Sequence, residues 1–142
     1  MTSAPAYDPQ NIFGKILRGE LPCVKVFEDD VALAFMDIFP RVDGHTLVVP
    51  KIPARGLLDF PASALGPFME RVQRVAAAVK SGMKADGLTI QQFNESAGGQ
   101  MVFHLHFHIL PRHEGAPLMP PGVAGANAEI ETYADKIRRA FA

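Results

Sequence analysis

Between His104 and Leu110 the chain alternates strictly between imidazole and apolar side chains: His104, Leu105, His106, Phe107, His108, Ile109, Leu110. Side chains of a β-strand leave alternate faces, so this pattern predicts a fifth strand over residues 104–110. The three histidines then share one face and one pocket, with neighbours about 6.5–7 Å apart at roughly 3.3 Å per residue. Leu105, Phe107 and Ile109 take the other face and enter a core. That apolar face fixes the register, because a slip of one residue would bury all three imidazoles. The segment therefore demands a sheet packed on one side and open to chemistry on the other.

The remainder of the chain supplies that sheet. Asn11 caps a short helix whose apolar face is Ile12, Phe13, Ile16 and Leu17, and Gly19 ends it. Residues 24–28 and 31–37 read as two strands in a hairpin turning at Asp29-Asp30, and residues 45–49 as a third strand stopped at Pro50. Leu65, Phe68, Met69, Val72, Val75, Ala76 and Val79 recur every three or four residues, opposite Glu70, Arg71, Gln73, Arg74 and Lys80. This is an amphipathic helix for one face of the sheet, with Pro67 tolerated in its first turn and Gly82 as its stop. Residues 88–94 form a fourth strand, and Ser96 to Gln100 a flexible turn rich in backbone donors. A loop with three prolines, Gly115 to Gly125, leads to a closing helix capped by Asn127 and apolar at Ile130, Tyr133, Ala134, Ile137 and Phe141. Glu129 and Glu131 lie early in that helix and Arg138 and Arg139 late, as its dipole favours. The expected class is α+β: a five-stranded antiparallel sheet, a long amphipathic helix packed on it, and short N- and C-terminal helices. Residues 1–10 read as a loose tail and residues 11–142 as one domain.

Charge and cysteine content narrow the partners. Fourteen basic against 15 acidic residues give a net charge of −1, which provides no electrostatic footprint for nucleic acid or an anionic membrane. The single cysteine, Cys23, cannot form an internal disulfide or a multi-cysteine zinc site, so a reducing, cytoplasmic setting is expected. The first ten residues lack the basic and apolar regions of a signal peptide, and no stretch approaches the roughly 20 apolar residues of a membrane span.

Three imidazoles on one face have two chemical uses. Two strand histidines with a third ligand can hold zinc. Alternatively, a neutral imidazole is a good nucleophile near pH 7, and its neighbours can donate hydrogen bonds to phosphoryl oxygens. The spacing alone leaves both open.

The flanking segments separate them by resemblance. The 104–110 segment resembles the signature of the histidine triad (HIT) family. Asn11-Ile12-Phe13-Gly14-Lys15-Ile16, Ala34-Phe35-Met36-Asp37-Ile38, Gly44-His45-Thr46-Leu47-Val48-Val49-Pro50-Lys51, and Asn94-Glu95 ahead of Gly98-Gly99-Gln100 follow in the family's order. The resemblance spans residues 11–113, leaving 114–142 as a C-terminal loop and helix, and points to the branch of purine nucleoside phosphoramidases. It implies a HIT-like fold and a nucleotide-binding hydrolase or transferase acting at an α-phosphorus through a nucleotidyl-histidine. His106 would be the nucleophile, His108 a donor to the phosphate side, and His104 and His45 their supports. Asp37 would accept from the ribose hydroxyls, and Ile12, Phe13, Ile16, Phe35 and Ile38 would sandwich the base. Asn94 and the backbone N–H groups of Gly99, Gln100 and Met101 would contact phosphate. The implied partners are a purine nucleotide or nucleoside phosphoramidate and a second copy of the chain, in a symmetric homodimer joined through the long helix and the fourth strand. No metal or cofactor is required. Alternatives within this frame are a dinucleoside polyphosphate hydrolase and a nucleotide-binding scaffold with weak catalysis. The chain departs from that branch at Met101, where relatives carry serine, and in having no tryptophan. Where some relatives bind structural zinc through an N-terminal cysteine pair, it has Asn11 and Gly14.

Overall fold

The computed structural model describes residues 5–141. In chain order these form α1 (Ile12–Leu17), β1 (Lys25–Glu28), β2 (Ala32–Met36), β3 (Thr46–Pro50), α2 (Leu65–Gly82), β4 (Gly87–Gln91), β5 (Phe107–Arg112) and α3 (Asn127–Ala140). The strands make one sheet in the order β1-β2-β3-β5-β4, every neighbouring pair antiparallel.

Local chemistry explains the boundaries. Asn11 accepts the Gly14 N–H through its side chain and so starts α1. At the other end Gly19, at φ +78°, lets its own N–H reach Ile16 O while Glu20 N–H reaches Lys15 O, which satisfies the last carbonyls of the helix. The β1–β2 turn is held by Asp29, whose carboxylate accepts from the N–H groups of Val31 and Ala32. Pro67 lies third in α2, where it removes no helical bond.

Strand alternation then divides the core in two. Ala32, Ala34, Met36 and Val48 join Phe68, Val72, Val75 and Val79 of α2 and Ile130, Ala134 and Ile137 of α3 in the larger cluster. Leu33, Phe35, Leu47 and Val49 leave the opposite face and pack with Phe13 of α1. Every residue of β2 and β3 is buried, so the sheet is covered on both sides at its centre.

Four expectations are corrected. First, β5 begins at Phe107 rather than His104, because its ladder with β3 runs only through Thr46–Ile109, Leu47–His108 and Val48–Phe107. Ahead of it the Leu105 N–H bonds Ala54 O instead, and the backbone turns away from the sheet. Second, β4 ends at Gln91, short of Asn94. Third, Asn127 is the first residue of α3; Ala126 holds the cap position without a side-chain bond. Fourth, the tail is not loose throughout: Asn11 N–H and side-chain amide both bond Asp8 O, and the Tyr7 side chain is docked. Residues 1–4 lie outside the described residues. Among the described residues no helix is long and apolar enough to cross a membrane.

Candidate active site

The sheet face that carries Phe35 and Leu47 also presents Asp37, just beyond β2, and His45, just before β3; Asp37 N–H bonds His45 O at 3.0 Å. His108 lies across from Leu47 on β5 and joins the same face. His106 approaches from the irregular segment before β5, with its ring 4.9 Å from that of His108 and edge-on to Phe13 at 4.9 Å. His104 does not face this site. Its ring is fully buried, between Pro50 O at 3.0 Å and the Tyr7 hydroxyl at 2.6 Å.

Fixed donors and acceptors around these rings assign their tautomers. A carbonyl oxygen can only accept, so the 2.7 Å contact between His106 Nδ1 and His104 O puts the His106 proton on Nδ1. Its Nε2 keeps the lone pair, makes no hydrogen bond among the described residues, and stays open to solvent. The second chain starts from a backbone donor. Arg41 N–H bonds His45 Nδ1 at 3.0 Å, so His45 carries its proton on Nε2. That proton is given to His108 Nδ1, 3.0 Å away, which leaves His108 with a free Nε2–H. The site thus offers one bare imidazole nitrogen beside one imidazole N–H donor.

Burial keeps the set neutral. Desolvation, aided by Arg41 and His106, lowers His45 to about 4. Desolvation, aided by His106 and His45 and opposed by Asp37, lowers His108 to about 3. Desolvation also depresses His104 and His106, against the raising effect of their backbone hydrogen bonds and, for His106, of Asp37. At neutral pH all four rings are uncharged, which is the state a nucleophilic imidazole needs.

The other residues expected here divide. Phe13 and Phe35 meet edge-on at 5.4 Å as wall of the site, and Ile16 is half-buried against them. Ile12 and Ile38 are 54% and 52% exposed. Asp37 accepts Phe39 N–H through one oxygen and lies 3.5 Å from His45 Nε2 through the other. The turn of residues 96–100 uses its glycine and glutamine N–H groups internally: Gly99 N–H bonds Ser96 O, and Gly98 and Gln100 N–H bond Glu95 O. Gln100 is buried as a brace, accepting from Glu95 N–H and donating to Arg55 O and Val102 O. Asn94 accepts from Leu57 N–H and pairs with the Gln92 amide. This corrects the expectation that Asn94, Gly99 and Gln100 present free groups to a phosphate. Of the three backbone donors expected at Gly99, Gln100 and Met101, only the Met101 N–H, beneath a side chain 85% exposed, has no partner among the described residues.

Three contributors had escaped the sequence reading. Arg55 holds Glu95 through two 2.9 Å bonds and stacks on Phe103, which pins the turn from outside. Arg41 acts through its backbone N–H, and Tyr7 lies in the supposed tail. No local pattern marks any of the three.

The HIT domain matches residues 18–115 of this chain. The chain belongs to the HIT domain family. A crystal structure of a HIT-like protein involved in cell-cycle regulation from Bartonella henselae, with an unknown ligand, superposes with a TM-score of 0.90 at 49% identity, covering 96% of this chain and 99% of that one. A zinc-bound histidine triad family protein from Mycobacterium smegmatis gives 0.82 at 33% identity, covering 93% of each. Among curated relatives, the adenylylsulfatase HINT3 of Arabidopsis thaliana is 37% identical over 103 residues, 72% of this chain and 52% of that protein. The chain therefore matches about half the length of that relative. An uncharacterised HIT-like protein of Methanocaldococcus jannaschii is 44% identical over 104 residues, 73% of this chain and 80% of that protein.

Within the family frame, the zinc question turns on donors. Asn11 is occupied in capping α1 and Gly14 has no side chain, so this pair does not fit a structural zinc ion. Asp37, His45 and His108 do bring three ligand atoms within 4.8 Å of one another. The His45–His108 hydrogen bond and the 3.5 Å approach of Asp37 to His45 Nε2 account for that clustering.

Proposed function

We propose that this chain is a nucleotide-binding hydrolase or transferase acting at the α-phosphorus of purine nucleoside phosphate derivatives, above all nucleoside phosphoramidates. The observation that carries the reading is the pair of assigned tautomers: a bare His106 Nε2 beside a His108 Nε2–H. His106 Nε2 attacks phosphorus as the substrate's P–N bond breaks, and the leaving nitrogen takes a proton from solvent water and departs as the neutral amine, leaving a nucleotidyl-imidazolium. Water then cleaves the P–N bond to His106 and restores the free imidazole, so one hard displacement becomes two easier ones. Positive charge that grows on His106 during attack is met by the His104 carbonyl at Nδ1–H and by the field of Asp37. His108 Nε2–H donates to a phosphoryl oxygen. His104 supports through its backbone, and His45 through the proton it gives His108. Phe13 and Phe35 form the wall for the base, and Ile12, Ile16 and Ile38 the mouth of the pocket. Asp37 takes the ribose hydroxyls, and Met101 N–H supplies the phosphate contact once expected of the whole turn.

The alternative leaving groups are a second nucleotide, as in dinucleoside polyphosphates, or sulfate, as the name of the adenylylsulfatase relative suggests. A scaffold reading predicts tight nucleotide binding without turnover. Adenosine 5′-phosphoramidate should turn over in EDTA, and His106→Ala should lower kcat by roughly three orders of magnitude or more. If the variant keeps most of the wild-type rate, the nucleophile is another group. The free outer edge of β4, with half-exposed Ile90, fits the expected homodimer; sedimentation at monomer mass over a wide concentration range would contradict it. A reducing, cytoplasmic setting is proposed from the cysteine count, since Cys23 has no second cysteine in the chain to pair with.

A further inference from the structure

Tyr7 precedes His104 by 97 residues, yet its hydroxyl lies 2.6 Å from His104 Nδ1, and the two rings meet edge-on at 5.5 Å. The other nitrogen of the same ring, Nε2, lies 3.0 Å from Pro50 O. A carbonyl cannot donate, so Nε2 carries the proton and Nδ1 is the acceptor of the Tyr7 O–H. The ring is 0% exposed and both of its nitrogens are thereby occupied. The backbone carbonyl of this clamped residue is the group that accepts His106 Nδ1–H at 2.7 Å.

The approach of Tyr7 is built into the surrounding chain. Arg18 Nη1 donates to Pro9 O at 2.8 Å and the Asn11 amide to Asp8 O at 2.7 Å, which ties the segment to α1. At position 14 a Cβ would come within 2.9 Å of Pro9 O and 3.2 Å of the Tyr7 hydroxyl, so only glycine leaves room for the segment.

We infer that Tyr7 is a positioning residue for the reaction proposed above: its hydroxyl holds His104 as the Nε2–H tautomer, and so holds the His104 carbonyl on His106 Nδ1–H. This rests on His106 being the nucleophile. Without the hydroxyl, Nδ1 of a sealed ring has no donor. The ring then tips toward another donor, and its backbone carbonyl moves off His106 Nδ1–H.

The test is Tyr7→Phe, which keeps the ring and removes one oxygen. The expected result is a fall in kcat of about ten- to a hundredfold, the scale on which a displaced reacting group costs rate, with KM within about twofold. A 15N-edited imidazole spectrum of the wild-type protein should show His104 protonated at Nε2 and bare at Nδ1, a readout independent of activity or of how the variant folds. A proton on His104 Nδ1, or a Tyr7→Phe enzyme with wild-type kcat, overturns the inference. If His106→Ala is dead while Tyr7→Phe is unimpaired, this inference fails alone; if His106→Ala stays active, the underlying reading fails and takes this role with it.

Discussion

Acidifying the protein from pH 8 to pH 5 should remove several kcal/mol of stability, through its histidines. In the unfolded chain a histidine titrates near 6.5, whereas in the folded protein His45 is held at about 4 and His108 at about 3. Below 6.5 the unfolded state binds protons that the folded state refuses, so stability is full above that value and falls as pH drops. At pH 5 the folded rings are still neutral, and the loss is set by the 1.5 units separating pH 5 from the unfolded value. That is about 2 kcal/mol for each ring, or about 4 kcal/mol for the two. His104 and His106, also depressed by burial, add in the same direction. The choice of pH 5 isolates these groups, because Glu28 and Glu95, lowered in the folded state by Lys25 and Arg55, keep their contribution until pH falls through the unfolded carboxylate value of about 4.3. Urea unfolding followed by far-UV circular dichroism at the two pH values, at one ionic strength, measures the difference. A loss under about 1 kcal/mol would mean that the folded rings accept protons near their ordinary pKa, and the neutral network would be wrong.

Three other outcomes follow from single contacts. His45→Phe removes the donor to His108 Nδ1 and should cut kcat about tenfold or more while leaving His106 able to form its adduct, as single-turnover kinetics would show. Gln100→Ala deletes three bonds of the buried brace and should cost about 1–3 kcal/mol in urea unfolding, with a larger effect on KM than on thermal behaviour of the distant α3. Ile137→Ala, at a fully buried position between α3 and the α2 side of the core, should cost about 2–5 kcal/mol and leave KM unchanged.

What the sequence revealed, and what it hid, follows from the range of the interactions. The span of α2 was readable to both ends because its amphipathic stripe is a local signal and Gly82 closes it. β1, β2 and β3 were placed to within a residue by apolar runs and turn chemistry. The alternating histidines misled at their start because alternation reports which side chains are buried, whereas a strand needs a partner's backbone. His104 and Leu105 are both buried, but beyond Val48 the bonds go to Ala54 rather than to β3. The glycine turn misled for a related reason, since its donors are spent on Ser96 and Glu95 within the turn itself. Tyr7 was invisible because its partner is 97 residues away and no periodicity links them.

The proposed chemistry requires a covalent bond between His106 Nε2 and phosphorus. It is tested most directly by acid-sparing quench of the enzyme with adenosine 5′-phosphoramidate and mass spectrometry of the peptide carrying His104, His106 and His108. An adenylyl group is expected on His106 in the wild type and none on the peptide of His106→Ala. Turnover with no adduct at any quench time, or an adduct on His104 or His108 instead, would contradict it.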